Sequence, residues 1–362
     1  MNATDSQWMA RALRLAERGL YTTSPNPRVG CVLVKKGKVV GEGWHERAGE
    51  PHAEVHALRA AGKAAQGATA YVTLEPCSHH GRTPPCADAL IASGVARVVA
   101  AIQDPNPQVA GEGVAKLRAA GIEAECGLME TATRDLNVGF FSRMTRGTPW
   151  VRSKIAASLD GRTALANGTS KWITGDAARR DVQHWRARSC AVLTGVGTVL
   201  ADDPQLNVRG IITERQPLRV VVDSQLRTPR GARIVSAGTL IYTAVFDEEK
   251  RAVLQARGAE VVTMSGSDRQ VDLPRVLDDL GRRGINEVLV EAGRTLNGRL
   301  MQAGLVDELV LYLAPKLLGD AALGMADMGE LTRLQQGVVL NWQDVRQVGG
   351  DLRLVAKITK EK

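Results

Sequence analysis

The chain contains Pro51-His52-Ala53-Glu54-Val55 and, further along, Thr73-Leu74-Glu75-Pro76-Cys77-Ser78-His79-His80-Gly81-Arg82-Thr83-Pro84-Pro85-Cys86. One imidazole and two thiolates are ligands that zinc prefers in a tetrahedral site. Three protein ligands would leave the fourth position open, as zinc sites in hydrolytic enzymes require. We therefore expect His52, Cys77 and Cys86 to bind zinc.

Pro51 and Pro85 directly precede His52 and Cys86, and proline suits the first position of a helix. We expect helices over 51–61 and 85–93, which would place His52 and Cys86 in their first turns. The positive end of a helix would favour a thiolate at Cys86. Cys77 follows a predicted strand, so the three ligands would meet at one edge of a sheet.

Glu54 lies two residues after the histidine, where it could move a proton without binding the metal. A His-x-Glu sequence followed by Pro-Cys is typical of zinc deaminases. His79 or His80 could instead supply a ligand, but the two cysteines already complete an open site.

Short apolar strands alternate with amphipathic helices along the chain, which indicates α/β architecture. A length of 362 residues suggests two domains, since domains usually have about 100–200 residues. Gly147 and Pro149 break a helical stretch. We therefore expect one domain over 1–147 and a second over 148–362.

The predicted elements of the first half include a hairpin of two strands around Lys36-Gly37. The helices predicted there are 5–18, 51–61, 85–93, 113–120 and 130–144. The predicted strands are 30–35, 38–43, 70–74, 97–102 and 122–126. The strands predicted in the second half are 150–156, 191–194, 219–223, 239–243, 260–263, 287–291 and 308–313, with a final pair near the C-terminus.

The composition favours a cytoplasmic protein without membrane or nucleic-acid partners. No apolar run approaches the length of a membrane span, and residues 1–8 do not resemble a signal peptide. The five cysteines are an odd number, which favours reduced thiols or metal ligands over disulfides. The net charge of +8 comes without a dense Lys/Arg stripe, so it fits small anionic ligands better than a polyanion.

The second half lacks a complete G-x-G-x-x-G sequence, because Leu200 stands where the third glycine would be in Gly195-Val196-Gly197-Thr198-Val199-Leu200. A better phosphate-binding candidate is Glu291-Ala292-Gly293-Arg294-Thr295-Leu296-Asn297-Gly298-Arg299. It follows an apolar strand and opens a helix, whose free backbone N–H groups could bind a pyrophosphate.

The first half resembles the cytidine-deaminase superfamily. Eight residues separate Cys77 from Cys86 instead of the usual two, and this insert is similar to that of one branch, the bifunctional deaminase/reductases of riboflavin biosynthesis. The other stretches that resemble this branch are 23–30 and 41–45 in the first half and 154–162, 170–174, 198–204 and 290–293 in the second. The likeness covers nearly the whole chain.

This resemblance implies a cytidine-deaminase-like α/β/α sandwich followed by a dihydrofolate-reductase-like α/β domain. It implies zinc-dependent deamination of 2,5-diamino-6-(5-phosphoribosylamino)pyrimidin-4(3H)-one, followed by reduction of the ribosyl group to ribityl with NADPH. It also implies a homo-oligomer, as dimers or larger assemblies.

The resemblance also implies roles for particular residues. In the first domain His52, Cys77 and Cys86 would bind Zn²⁺, Glu54 would carry the proton, and substrate would contact Asn26, His45, His79 and Arg82. In the second domain the residues lining the cofactor would be Ala156, Trp172, Thr198, Asp202, Ser224, Gly293, Arg294, Thr295, Leu296, Asn297, Gly298 and Arg299. Substrate there would contact Ser170, Arg186, Leu206, Arg209 and Glu291.

The charges of these residues suggest how a phosphorylated substrate is held. Arg82 and the imidazoles could meet the ribose 5-phosphate in the first domain, and Arg186 and Arg209 could clamp it in the second. Lys154 and Asp202 could lie near the sugar carbon that is reduced, or they could form a structural ion pair.

Two other functions compete with this interpretation. A deaminase acting on a flipped nucleic-acid base would fit the basic pI and the His/Cys/Cys set, but the long insert and the large second domain count against it. A non-catalytic protein with structural zinc would need a closed site with a fourth ligand, such as His79 or His80.

Overall fold

The computed structural model describes residues 1–78, 85–107 and 110–359. The chain divides into two compact units, Met1–Gly147 and Thr148–Lys362. Within the described residues, no helix has both the length and the apolar character needed to cross a membrane.

The first unit has a five-stranded sheet with strand order β2-β1-β3-β4-β5. Its strands are β1 (Gly30–Lys35), β2 (Lys38–Trp44), β3 (Thr69–Val72), β4 (Arg97–Ala100) and β5 (Glu123–Cys126). Its helices are α1 (Ala3–Glu17), α2 (Ala53–Ala61), α3 (Cys86–Ala92), α4 (Glu112–Ala119), α5 (Glu130–Leu136) and α6 (Val138–Arg146). Strand β1 pairs antiparallel with β2 and β3, and β3, β4 and β5 run parallel.

Alternate residues of β1 face opposite sides of this sheet. Cys31 and Leu33 belong to a buried cluster that includes residues of α2, α3 and α4. Val32 and Val34 belong to another cluster, which contains Met9 of α1. Both faces of the sheet are therefore covered by helices, in the three-layer arrangement predicted from the sequence.

The second unit has a nine-stranded sheet with strand order β11-β10-β9-β8-β12-β6-β13-β16-β15 and a separate pair, β14-β7. Its strands are β6 (Trp150–Ser158), β7 (Arg162–Ala164), β8 (Ala191–Gly195), β9 (Leu218–Val222), β10 (Thr239–Thr243), β11 (Ala259–Thr263), β12 (Glu287–Val290), β13 (Glu308–Ala314), β14 (Leu323–Gly324), β15 (Leu340–Val348) and β16 (Asp351–Ile358). Its helices are α7 (Asp176–Arg188), α8 (Val196–Asp202), α9 (Glu248–Ala256), α10 (Leu273–Arg282) and α11 (Arg294–Gln302).

The strands from β11 to β13 in this order run parallel to one another. At one end of the sheet, β16 pairs antiparallel with both β13 and β15. The carboxyl ends of the parallel strands therefore lie along one edge of the sheet. In open α/β sheets this edge is where ligands bind.

Two helix predictions need correction. Pro51 does not begin α2, because His52 is the N-cap residue and the helix starts at Ala53. The single helix predicted over 130–144 is two helices that meet at Asn137. Asn137 leaves the helical conformation because its side chain hydrogen-bonds both the N–H and the C=O of Arg28.

The start of α1 also differs from the predicted start at residue 5, since the helix begins at Ala3 and its N-cap is Asn2. Asp5 takes the third helical position, and Asn2 and Asp5 bond each other's backbone N–H groups as a capping box. The Asp5 carboxylate, 2% exposed, also accepts hydrogen bonds from Tyr71 Oη at 2.7 Å and Arg97 Nη1 at 2.9 Å. The Arg97 guanidinium holds the pKa of Asp5 well below its usual range.

We expect Asp5→Asn to loosen α1, because the amide leaves Arg97 without its buried carboxylate partner. A hydrogen bond to a charged group contributes about 1.5–3 kcal/mol, so amide hydrogen exchange in 3–17 and 69–72 should accelerate about ten- to a hundredfold in the full-length chain. The matched control is Glu130→Gln, which removes an exposed i,i+4 ion pair with Arg134. Unchanged exchange in Asp5→Asn would show that this network does not anchor the helix.

Candidate active sites

His52, Cys77 and Cys86 meet at the edge of the first sheet. His52 caps α2, Cys86 is the first residue of α3, and Cys77 lies in the segment after β3. Their possible ligand atoms all lie within 4.8 Å of one another. His52 Nδ1 is 3.7 Å from Cys77 Sγ and 3.3 Å from Cys86 Sγ. Zinc bound at ideal lengths in a tetrahedron would hold such a nitrogen and sulfur about 3.6 Å apart, so the donors fit zinc.

The two thiols have opposite pKa shifts. Hydrogen bonding with Cys86 lowers the pKa of Cys77 well below that of a free thiol, whereas the same contact and burial raise the pKa of Cys86. The sequence predicted the thiolate at Cys86, but the Cys86 backbone N–H points at Cys77 Sγ, 3.3 Å away, and stabilises the charge there. The cluster thus already favours one deprotonated sulfur, which metal binding requires.

Glu54 lies beside these ligands in the first turn of α2. Its side chain is buried, and among the described residues none hydrogen-bonds its Oε2 oxygen. Burial raises the pKa of Glu54 to about 7. A carboxyl group with a pKa near neutral pH can both accept and donate a proton, as general acid–base catalysis requires.

A cavity of about 480 Å³ opens in front of this cluster. The residues that line it are Pro25, Asn26, Pro27, Val29, His45, Ala48, Gly49, Glu50, His52, Glu54, Leu74, Glu75, Cys77, Asp104, Asn106 and Phe140. Asn26 and His45, which the resemblance implies as substrate contacts, both line this cavity. His79 and Arg82, together with the alternative ligand His80, lie outside the described residues.

His45 is one of the imidazoles suggested above as contacts of the ribose 5-phosphate. Burial lowers the pKa of His45 to about 4, so its imidazole is neutral at pH 7. Its Nδ1 lies 3.2 Å from the Pro51 carbonyl oxygen, and its Nε2 lies 3.1 Å from Asn26 Nδ2. The carbonyl requires a proton on Nδ1, so Nε2 accepts a hydrogen bond from the amide nitrogen of Asn26.

Asp104 and Asn106 were not predicted, although both line the cavity. They lie in the segment after β4, next to the carboxyl end of β3 in the sheet. Polar residues that directly follow a parallel strand are candidates for ligand binding, and this signal is present in Asp104-Pro105-Asn106-Pro107.

The second unit has a cleft of about 870 Å³ at the carboxyl ends of its parallel strands. The predicted cofactor residues that line it are Ala156, Trp172, Thr198, Asp202, Ser224, Gly293, Arg294, Thr295, Leu296 and Arg299. Gly293 caps α11 without a side chain, and a Cβ built there would meet nothing within 4 Å. Free N–H groups at the start of α11 can therefore approach a phosphate closely.

Asn297 and Gly298 pack inward instead of lining this cleft. Asn297 is 1% exposed and bonds Ser153 Oγ and the Ala292 carbonyl oxygen. A Cβ at Gly298 would lie 2.0 Å from the Asp327 carbonyl oxygen. These contacts hold α11 in place, and cofactor binding by the two residues stays a prediction.

The ion pair suggested between Lys154 and Asp202 is wrong. Lys154 Nζ lies 4.0 Å from Glu291 Oε2, whereas Asp202 pairs with Lys171 at 2.9 Å. Burial lowers the pKa of Lys154, while the carboxylate of Glu291 opposes this shift. Lys154, Ser170 and Glu291 all line the cleft.

Arg186, predicted to clamp a phosphate, donates hydrogen bonds to other residues of the protein. Its Nε and Nη2 donate to the two carboxylate oxygens of Glu291 at 2.5 and 3.0 Å, and its Nη1 donates to the Asn207 carbonyl oxygen. Leu206 is buried with a positive φ of 50°. Arg209 is exposed, so its guanidinium is the more accessible of the two.

Comparison with known proteins agrees with both halves of this description. Residues 2–102 match the family model of the cytidine and deoxycytidylate deaminase zinc-binding region, and residues 149–354 match that of the RibD C-terminal domain. The chain is 52% identical to riboflavin biosynthesis protein RibD of Escherichia coli (strain K12) and 43% identical to that of Aquifex aeolicus (strain VF5). The alignments cover 97% and 98% of this chain and 98% of each relative.

Solved structures show the same likeness. Acinetobacter baumannii RibD, form 1, has a TM-score of 0.92 at 48% identity, over 99% of both chains. A diaminohydroxyphosphoribosylaminopyrimidine deaminase/5-amino-6-(5-phosphoribosylamino)uracil reductase from Thermotoga maritima has a TM-score of 0.88 at 34% identity, over 98% of this chain and 99% of that one. These matches confirm the two-domain α/β fold and the predicted family. The chain belongs to the RibD family of riboflavin biosynthesis proteins, in which a zinc-binding deaminase domain is joined to a reductase domain.

Proposed function

We propose that the chain catalyses two consecutive reactions of riboflavin biosynthesis. The first unit hydrolyses an amine from 2,5-diamino-6-(5-phosphoribosylamino)pyrimidin-4(3H)-one to form 5-amino-6-(5-phosphoribosylamino)uracil. The second reduces the ribosyl group to give 5-amino-6-(5-phosphoribitylamino)uracil. The observation that carries the proposal is the His52, Cys77 and Cys86 cluster with Glu54 beside it in a cavity.

In the first reaction, His52, Cys77 and Cys86 would hold zinc, which supplies Lewis-acid activation of the attacking water. Glu54 takes a proton from that water and delivers it to the amine, which departs as ammonia. Burial supports this role because it raises the pKa of Glu54 to about 7. Asn26, held by His45, offers its amide oxygen to a donor group on the pyrimidine or the ribose.

In the second reaction, NADPH supplies the hydride, and the protein orients cofactor and sugar. The N–H groups at the start of α11 bind the pyrophosphate. The ammonium of Lys154 and the carboxylate of Glu291 face the sugar, and Arg186 holds that carboxylate in place with two hydrogen bonds.

The charge of the cleft supports NADPH as the cofactor. Six cationic side chains line it, those of Lys154, Lys171, Arg179, Arg227, Arg294 and Arg299. A cofactor with an additional phosphate gains more from such surroundings than NADH does, since the attraction grows with its charge.

We also propose a cytoplasmic location and a homo-oligomer, each on a separate observation. None of the five cysteines, all of which lie within the described residues, forms a disulfide, which fits the reducing cytoplasm. Trp342 and Val345 of β15 are more than half exposed, and exposed apolar residues on a terminal strand of a sheet are typical of interaction surfaces. We propose that this strand takes part in a homo-oligomer.

We expect Glu54→Gln to keep its zinc and to lose deamination by about 10²–10⁴-fold, the usual contribution of general acid–base catalysis. Reduction of the deaminated intermediate by NADPH should change less than about twofold, since the reductase site lies in the other unit. The measurements are zinc content, ammonia release and NADPH oxidation on the same preparation. Normal ammonia release by this variant would remove Glu54 from the mechanism.

We expect Lys154→Met to lower kcat/KM of the reduction by about tenfold or more, because it removes a charged group beside the sugar and one of the cations near Glu291. Ammonia release should be unchanged. The matched control is Lys250→Met, which removes a lysine that pairs with Asp247 on α9. Equal NADPH oxidation by both variants would contradict the assigned place of Lys154.

A further inference from the structure

Glu75 is a buried carboxylate that the reaction scheme above does not use. Its side chain is 2% exposed, and it lies two residues before the ligand Cys77. Within the described residues, its oxygens accept three hydrogen bonds, each from a backbone N–H group: Asp104 at 3.2 Å, Gly111 at 2.9 Å and Val114 at 3.0 Å. A buried carboxylate costs free energy unless its hydrogen bonds are satisfied, so these three contacts are what hold it in place.

The three donors belong to the segment that follows β4 and to the start of α4. Gly111, the N-cap of α4, has a φ of +86°, a conformation that glycine adopts without strain. Gly113 approaches so closely that a Cβ there would lie 1.9 Å from the Pro76 carbonyl oxygen. The start of α4 is therefore packed directly on the segment that leads to Cys77.

This segment also carries Asp104 and Asn106, which line the deaminase cavity. The Asp104 backbone N–H is one of the three donors to Glu75, and Asp104 Oδ1 in turn accepts from the Asn106 backbone N–H at 2.8 Å. Glu75 thus fixes the backbone at the first of these residues, and Asp104 fixes the second. Glu75 therefore connects the cavity wall at Asp104 to the segment that carries the predicted metal ligand Cys77.

We propose that Glu75 is a positioning residue of the deaminase site, which holds Asp104 and Asn106 where they bind the substrate. This role rests on the deamination proposed for the first unit. A carboxylate and an amide can accept hydrogen bonds from amino or hydroxyl groups, whereas Asp104 would repel a phosphate. Loss of the anchor should therefore weaken substrate binding and leave the proton transfer by Glu54 in place.

The test compares Glu75→Gln with the full-length wild-type enzyme. A glutamine amide turns its NH2 group toward at least one of the three N–H donors, so part of the anchor is lost without a change in size. We expect KM for the diaminopyrimidine phosphate to rise about tenfold while kcat changes less than about threefold. Zinc content and NADPH-dependent reduction should match the wild type, and Glu130→Gln serves as the control.

A second variant removes the positioned groups and leaves the anchor. The double substitution Asp104→Ala and Asn106→Ala should reproduce the rise in KM, and adding Glu75→Gln to it should have little further effect, since all three act on the same interaction.

The positioning role would be overturned by an unchanged KM in Glu75→Gln, or by a loss confined to kcat together with loss of zinc. It would equally be overturned if Asp104→Ala with Asn106→Ala left both constants unchanged. If the wild-type enzyme released no ammonia, the proposed deamination would fail, and this role with it.

Discussion

The close approach of α2 to the β1–β2 hairpin is the constraint on which the metal cluster depends. A Cβ at Gly41 would lie 2.2 Å from the Ala57 carbonyl oxygen, and one at Gly43 would lie 2.8 Å from that of Ala53. Any larger residue would push the helix away from the hairpin. Because His52 and Glu54 lie at the start of this helix, such a displacement would separate them from Cys77 and Cys86, whose positions depend on other elements.

The zinc cluster was predictable because its evidence is local. The residue types, their spacing and the prolines that precede them all lie within short stretches, and imidazole and thiolate are donors that zinc prefers. The protonation within the cluster was not predictable in the same way. The helix start suggested a thiolate at Cys86, but the contact that decides the matter is the hydrogen bond from the Cys86 N–H to Cys77 Sγ.

The charged groups of the reductase cleft were harder to assign, because their partners depend on strand order. Strand β12 lies between β6 and β8, so Glu291, which follows β12, comes near Lys154 of β6. A sequence places strands in chain order but does not place them side by side. Asn297 and Gly298 show the same limit on a smaller scale, since the N-terminal residues of α11 face the cleft while these two face the protein interior.

The two sites use burial in opposite ways, and the difference follows from their chemistry. In the deaminase cavity, burial brings the pKa of Glu54 to about 7 and keeps His45 neutral, which suits a site where protons move. In the reductase cleft, the partly buried Lys154 and Glu291 lie beside each other, and Glu291 also pairs with Arg186, so opposite charges are held together. Hydride transfer needs fixed orientation more than a group that titrates, and a paired charge network provides it.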